Sequence, residues 1–129
     1  MNIDSLPIQM NRKRALWAYY HIEEKCNKES KSEFKSLCRR LPILFKEHGI
    51  ISTLCYLKQQ KGKRDIEETS LYNWYIEIII GLPFIHATDE NECIIELINA
   101  SHTHQRLVLK EILEHSIWLK NTAEAMESD

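Results

Sequence analysis

Apolar residues recur along this chain at the three- and four-residue spacing of α-helices, with polar breaks between the runs. Residues 1 to 9 are predicted to be a loose lead-in. From Asn11 to about Cys26, Ala15, Tyr19, Ile22 and Cys26 share one face, and Arg14, His21, Lys25 and Lys28 line another stripe. Ser32 is an N-cap candidate for a second helix. It ends at His48 and Gly49, where glycine can take the left-handed C′ position. Phe34, Leu37, Leu41, Leu44, Phe45 and His48 form its broad apolar face, with Lys31, Lys35, Arg39 and Lys46 nearly opposite. Pro42 removes one backbone hydrogen bond, which predicts a helix kinked or divided in two near Arg39.

A third helix is predicted over Ile50 to Gln60, packing Ile50, Ile51, Leu54 and Leu57 with Cys55 beside them. A basic, glycine-bearing loop follows from Lys58 to Arg64. The fourth helix, about Glu67 to Ile80, is apolar on nearly every side, so it is central or covered by a partner. Its isoleucine run has no second strand pattern to pair with, and Gly81-Leu82-Pro83 ends it. Asp89 or Thr88 caps a short fifth helix, Glu90 to Ala100, that buries Cys93, Ile94, Leu97 and Ile98. Ser101 caps a sixth, extending as far as Met126. Val108, Ile112, Leu119 and Ala123 share one face there with Leu109 and Ser116, while Trp118 falls on the other side with Leu107 and Ala125. The expected fold is all-α, a compact bundle of five to six helices in a single domain over residues 1–129.

Composition agrees with that pattern. Three glycines and three prolines in 129 residues leave few forced turns. No apolar run approaches the length of a membrane span, since Ile76 to Leu82 is interrupted by Glu77 and closed by Pro83. No cleavable signal is read at the N-terminus, so a cytoplasmic protein is expected. Cys26, Cys38, Cys55 and Cys93 are spaced by 12, 17 and 38 residues, which fits no zinc or iron–sulfur pattern, and the plain reading is reduced, buried thiols.

The chemistry is sparse. The chain has no GxxxxGK[ST], GxGxxG or HExxH motif. His102 and His104 do not share a helical face. His48 is expected in the core, and Glu111, Glu114 and His115 belong to a helix with solvated charge off its packing face. No catalytic residue, metal or cofactor is expected. Tyr19, Tyr20, Tyr72 and Tyr75 are expected as half-buried packing residues. Charge is the stronger signal. Residues 1 to 64 hold fourteen of the 17 Lys and Arg and six of the 19 Asp and Glu, a balance of +8 against −10 in the remainder. Such a split suggests contact with a polyanion, an acidic neighbour, or a copy of the chain head-to-tail. Lys35, Arg39, Lys46, Lys61, Lys63 and Arg64 are expected to form one basic track, with Arg14 and Lys25 added from the first helix. It is either a solvated face or a phosphate-tracking surface, which needs several cations on one side and no base-reading motif.

Several segments taken in order resemble the small-subunit family of type III-B CRISPR RNA-guided effector complexes. They are Arg14-Ala15-Leu16-Trp17-Ala18-Tyr19, Phe34-Lys35-Ser36-Leu37, Arg40-Leu41-Pro42-Ile43-Leu44, His48-Gly49-Ile50 and Thr53-Leu54-Cys55-Tyr56-Leu57, then the closing stretch Leu113 to Ala125 with Trp118-Leu119-Lys120. The chain departs from the family pattern at His48, Ile50 and Asn121. The resemblance implies an all-helical, non-enzymatic subunit. Copies of it would stack in a minor filament and hold target RNA paired to guide RNA, beside backbone-forming subunits and a large polymerase-like subunit. Glu111, Glu114, Trp118 and Lys120 are then the expected partner-binding residues. From a different class stands a helical adaptor or regulator that binds a protein or double-stranded DNA as a dimer.

Overall fold

In the computed structural model the described residues form five α-helices: α1 (Leu6–Lys25), α2 (Lys31–Lys63), α3 (Leu71–Ile80), α4 (Glu90–Asn99) and α5 (His102–Ala125). The structure describes the backbone of residues 6–25, 31–63 and 71–125, and the side chains of residues 11–22, 35–59 and 71–125. Among the described residues there is no β-strand, so the fold is all-α. None of the described helices is long and apolar enough to cross a membrane.

Helix α1 begins earlier than its hydrophobic pattern suggests. Residues 6 to 9 are helical rather than a lead-in. Pro7 sits in the first turn, where a missing N–H breaks no intrahelical bond and the fixed φ suits a helix. The buried stripe of α1 is also turned from the expected one. Arg14, Ala18 and Ile22 are buried, while Tyr19 is exposed. The expected positions Lys25 and Cys26 have side chains outside the described residues.

The second and third predicted helices are joined as α2. The residue of α2 with non-helical dihedrals is Gly49 (φ 82°, ψ 178°). The break falls at Gly49, where the sequence ends one helix and begins the next, and the further kink or division expected near Pro42 is absent, Pro42 keeping helical dihedrals. Proline costs one hydrogen bond but has a helix-compatible φ, whereas this positive φ with extended ψ is open essentially to glycine alone. A Cβ built on Gly49 meets nothing within 4 Å, so the requirement for glycine is purely conformational. Across the break, the buried Thr53 hydroxyl donates to the Leu44 carbonyl at 3.0 Å. The loop expected over 58 to 64 is helical as far as Lys63. One interior glycine, Gly62, costs only about 1 kcal/mol against alanine, and its Lys and Gln neighbours favour helix. Arg64 lies outside the described residues.

The chain divides into two compact units, one of residues 1–42 and 114–129 and one of residues 43–113. In the first, α1 buries Ala18 and Ile22, the start of α2 buries Cys38 and Leu41, and the end of α5 buries Ser116, Leu119 and Ala123. Trp17 of α1 meets His115 of α5 edge-on, with ring centroids 4.9 Å apart.

In the second unit α3 buries Leu71, Tyr72, Trp74, Tyr75, Ile76 and Ile79, as its all-round apolar surface requires. Tyr75 lies edge-to-face with Phe45 at 4.8 Å, a geometry that contributes about 0.5–1.5 kcal/mol beyond the area buried. Helix α4 packs on α3 and buries Cys93 and Leu97. Its Ile98, expected inside, is 59% exposed. Helix α5 supplies Val108 and Ile112 to this unit's buried set. His48 and Cys55, both expected in or beside the core, are exposed. Cys38 and Cys93 are buried free thiols.

Candidate nucleic-acid interface

The cations expected to form a basic track have unlike environments. In the first unit Arg14 is 9% exposed, and its Nη1 donates to Asn11 Oδ1 at 3.0 Å. Lys35 is 3% exposed. Neither is presented to solvent as expected. Arg14 shares the buried stripe of α1. Lys35 lies one turn before buried Cys38, where a long aliphatic stem packs well. Arg39 is half-buried and Arg40 exposed. Arg12 and Lys13 on α1 are exposed as well. These three exposed cations were not singled out from the sequence, where they differ from their basic neighbours only by helical phase. In the second unit Lys46 is exposed. The side chains of Lys25, Lys61, Lys63 and Arg64 lie outside the described residues.

Lys58, the exposed cation nearest the end of the described part of α2, has a fixed partner. Its Nζ lies 2.7 Å from Glu90 Oε1 and 5.4 Å from the centroid of the Tyr72 ring. The Tyr72 hydroxyl donates to the same Glu90 oxygen at 2.6 Å. Burial, and then this donation to a carboxylate, push the Tyr72 phenol well above its ordinary range. The three groups edge an open cleft of about 400 Å³ that is otherwise lined by Leu54, Cys55, Asn91, Ile94 and Ile95. Its walls are mainly apolar, and its cation is already matched by a carboxylate.

Asp89, Glu92 and Glu96 accept backbone N–H groups at or just before the start of α4. Asp89 is the N-cap and accepts the Glu92 N–H at 2.8 Å, as the sequence suggests. Glu92 reaches back to the Thr88 N–H at 2.8 Å and the Thr88 hydroxyl at 2.7 Å. Those bonds, the backbone one foremost, lower its pKa below the usual carboxylate range. Glu96 accepts the backbone N–H groups of His86 and Ala87, the latter at 2.9 Å, and so holds the connection after α3. Burial above all, with Glu96 and Glu90 nearby, raises the Cys93 thiol to about 11. It stays protonated at neutral pH and is a poor nucleophile.

Of the expected partner-binding residues, Glu114, Trp118 and Lys120 belong to the first unit and Glu111 to the second. All four are half-buried. Glu114 and Trp118 follow at i and i+4 and share a stripe of α5, whereas Lys120 falls away from it. Ser101 Oγ accepts the His104 N–H at 3.2 Å, which gives α5 its expected cap. On α1, Tyr19 and Tyr20 are 47% and 63% exposed rather than half-buried. His21 Nδ1 donates to the Trp17 carbonyl at 2.7 Å and keeps the rings of Trp17 and His21 4.8 Å apart. Among the described residues no group of three or more His, Cys, Asp or Glu is placed to hold a metal ion.

The arrangement can make phosphate contacts through exposed lysine and arginine, and apolar contacts through exposed helix faces. A family model described as CRISPR-associated protein (Cas_Cmr5) matches residues 10–126. No curated protein and no solved structure matches the chain.

Proposed function

Because the chain belongs to the CRISPR-associated Cmr small-subunit family, whose members are non-catalytic structural subunits of CRISPR complexes, we propose that its task there is to hold the target RNA strand along the guide by phosphate contacts. The match over residues 10–126 is the observation that carries this reading. The +8 first half adds to it, with Arg39, Arg40 and Lys46 following one another along α2 and Arg40 and Lys46 exposed. Phosphate contacts carry no base information, so RNA of any sequence is held, and the hold weakens steeply with salt. Stacked copies of this chain, the backbone-forming subunits and the large polymerase-like subunit are the proposed neighbours. The acidic second half, with Glu111, and the Glu114 and Trp118 stripe of α5 are the proposed docking regions.

Affinity purification of the tagged chain from cells expressing the whole effector tests this. The expected result is recovery with other Cas subunits and RNA. Recovery as a stable dimer that prefers one duplex DNA sequence, with no RNA or Cas subunit, would favour a helical regulator and contradict the proposal.

A further inference from the structure

Among the helices that turn large apolar side chains to solvent, α1 and α4 have polar borders of opposite sign. On α1, Leu16 (53% exposed), Tyr19 (47%) and Tyr20 (63%) form one face. Exposed Arg12 and Lys13 precede Leu16 by four and three residues, so both cations border that face. On α4, Ile95 and Ile98 are each 59% exposed. Glu92, three residues before Ile95, is exposed beside them, and Asp89 caps the same end of the helix. Bonds from the Thr88 N–H and hydroxyl fix the Glu92 carboxylate in place. Next to Ile95 opens the cleft over Leu54 and Tyr72, about 400 Å³.

We propose that the α1 face of one copy docks on the α4 face of the next. Leu16 and Tyr20 would lie against Ile95, Ile98 and the neighbouring cleft, with Arg12 and Lys13 facing Glu92 and Asp89. The inference rests on the small-subunit reading above, in which copies are neighbours, and names the surfaces they use. A second copy is the occupant that the charges select. A basic-rimmed apolar face fits an acidic-rimmed one, and this chain carries both. RNA fits less well, because Leu16 offers a polyanion nothing at the centre of the α1 face and the α4 face repels it. The two faces differ, so the contact is heterologous, and each copy keeps one unlike face open for a further copy. The faces are small, so association of the isolated chain is weak and salt-sensitive.

Two variants read by sedimentation test this on the purified full-length chain. Leu16→Asp spoils only the α1 face and Ile95→Asp only the α4 face. Both residues are exposed, and circular dichroism checks the fold. If either variant loses helical signal, Leu16→Ser or Ile95→Ser takes its place. Loading concentrations up to about 0.5 mM detect association as weak as ~1 mM. The wild type is expected to grow with concentration at low salt and each variant alone to stay monomeric. An equimolar mixture of the two should form a 1:1 heterodimer, because each supplies the face the other lacks. A monomeric wild type, self-association by either variant alone, or failure of the mixture to pair would overturn the proposal. So would an α1 variant that loses RNA while still self-associating, which would assign that face to nucleic acid. Head-to-tail pairing of a chain that never joins an RNA-containing complex would keep this inference and remove the previous one.

Discussion

The hydroxyl of Thr53 donates to the carbonyl of Leu44 at 3.0 Å, a bond between residues nine apart in α2 that reaches across the break at Gly49. Thr53 is 2% exposed, so its hydroxyl has no water to turn to. The bond ties the two segments of α2 together where their backbone ladder is interrupted. Thr53→Val keeps the shape and removes the donor. It should lower stability by about 1 kcal/mol in denaturant unfolding, with Thr53→Ser nearer to wild type. Equal stability of Thr53→Val and wild type would show that the bond contributes nothing.

Gly49 should be the less replaceable of the two breakers in α2. Gly49→Ala forces a side chain into φ 82°, ψ 178° and should cost about 1–3 kcal/mol although the added Cβ meets no atom within 4 Å. Pro42→Ala restores a backbone donor within a helical segment and should not destabilise. Thermal unfolding of both variants checks the pair. A reversed order would move the break to Pro42.

Tyr72 should titrate late. A phenol whose pKa is raised in the folded state favours folding below the unfolded value of 10.0, and that contribution is lost as pH rises above it. Absorbance near the tyrosinate band should show a late step as the protein unfolds in alkali, and Tyr72→Phe should reduce that step by one tyrosine. Because its donation is to a carboxylate, Tyr72→Phe should also cost about 1.5–3 kcal/mol at neutral pH.

Glu92 works in the opposite sense. Its folded-state pKa is depressed below the ordinary 4.5, so its contribution is present above that value and fades as pH falls through the folded pKa. Protection of the first-turn amides of α4, corrected for intrinsic exchange, should fall as pH drops below the ordinary 4.5, and Glu92→Gln should weaken that dependence. The same acid sensitivity with Gln at this position would place the titrating group elsewhere.

Much of the helical order was legible because it rests on local signals: the Asp89 and Ser101 caps, the all-round apolar α3 and the Val108, Ile112, Leu119 and Ala123 face of α5. What was misread depends on helical phase and tertiary cover. A one-residue rotation of α1 exposes Tyr19 and buries Arg14. Spacing placed Lys35 on the solvent side and Ile98 inside, yet the first is buried and the second exposed, because neighbouring elements and not the helix's own period decide how far a border position is covered. The break at Gly49 was legible as a glycine stop, whereas the further kink expected at Pro42 is absent, because a positive φ interrupts a helix more completely than one missing donor. Of the candidate site, its basic character was readable in charge counts, but which cations reach solvent was not.

RNA retention by the reconstituted effector at two salt concentrations tests the central claim most directly, comparing wild type with Arg39→Ala, Arg40→Ala and Lys46→Ala combined. Lys35 is left in place because its burial ties it to the fold. Each lost phosphate contact should flatten the dependence of log retention on log salt by about 0.7–0.9. The triple variant should therefore bind RNA less tightly at the lower salt, with a shallower slope, unchanged helical signal and unchanged assembly with the other subunits. Equal retention and equal slope for the two proteins would contradict the assignment of RNA holding to these cations.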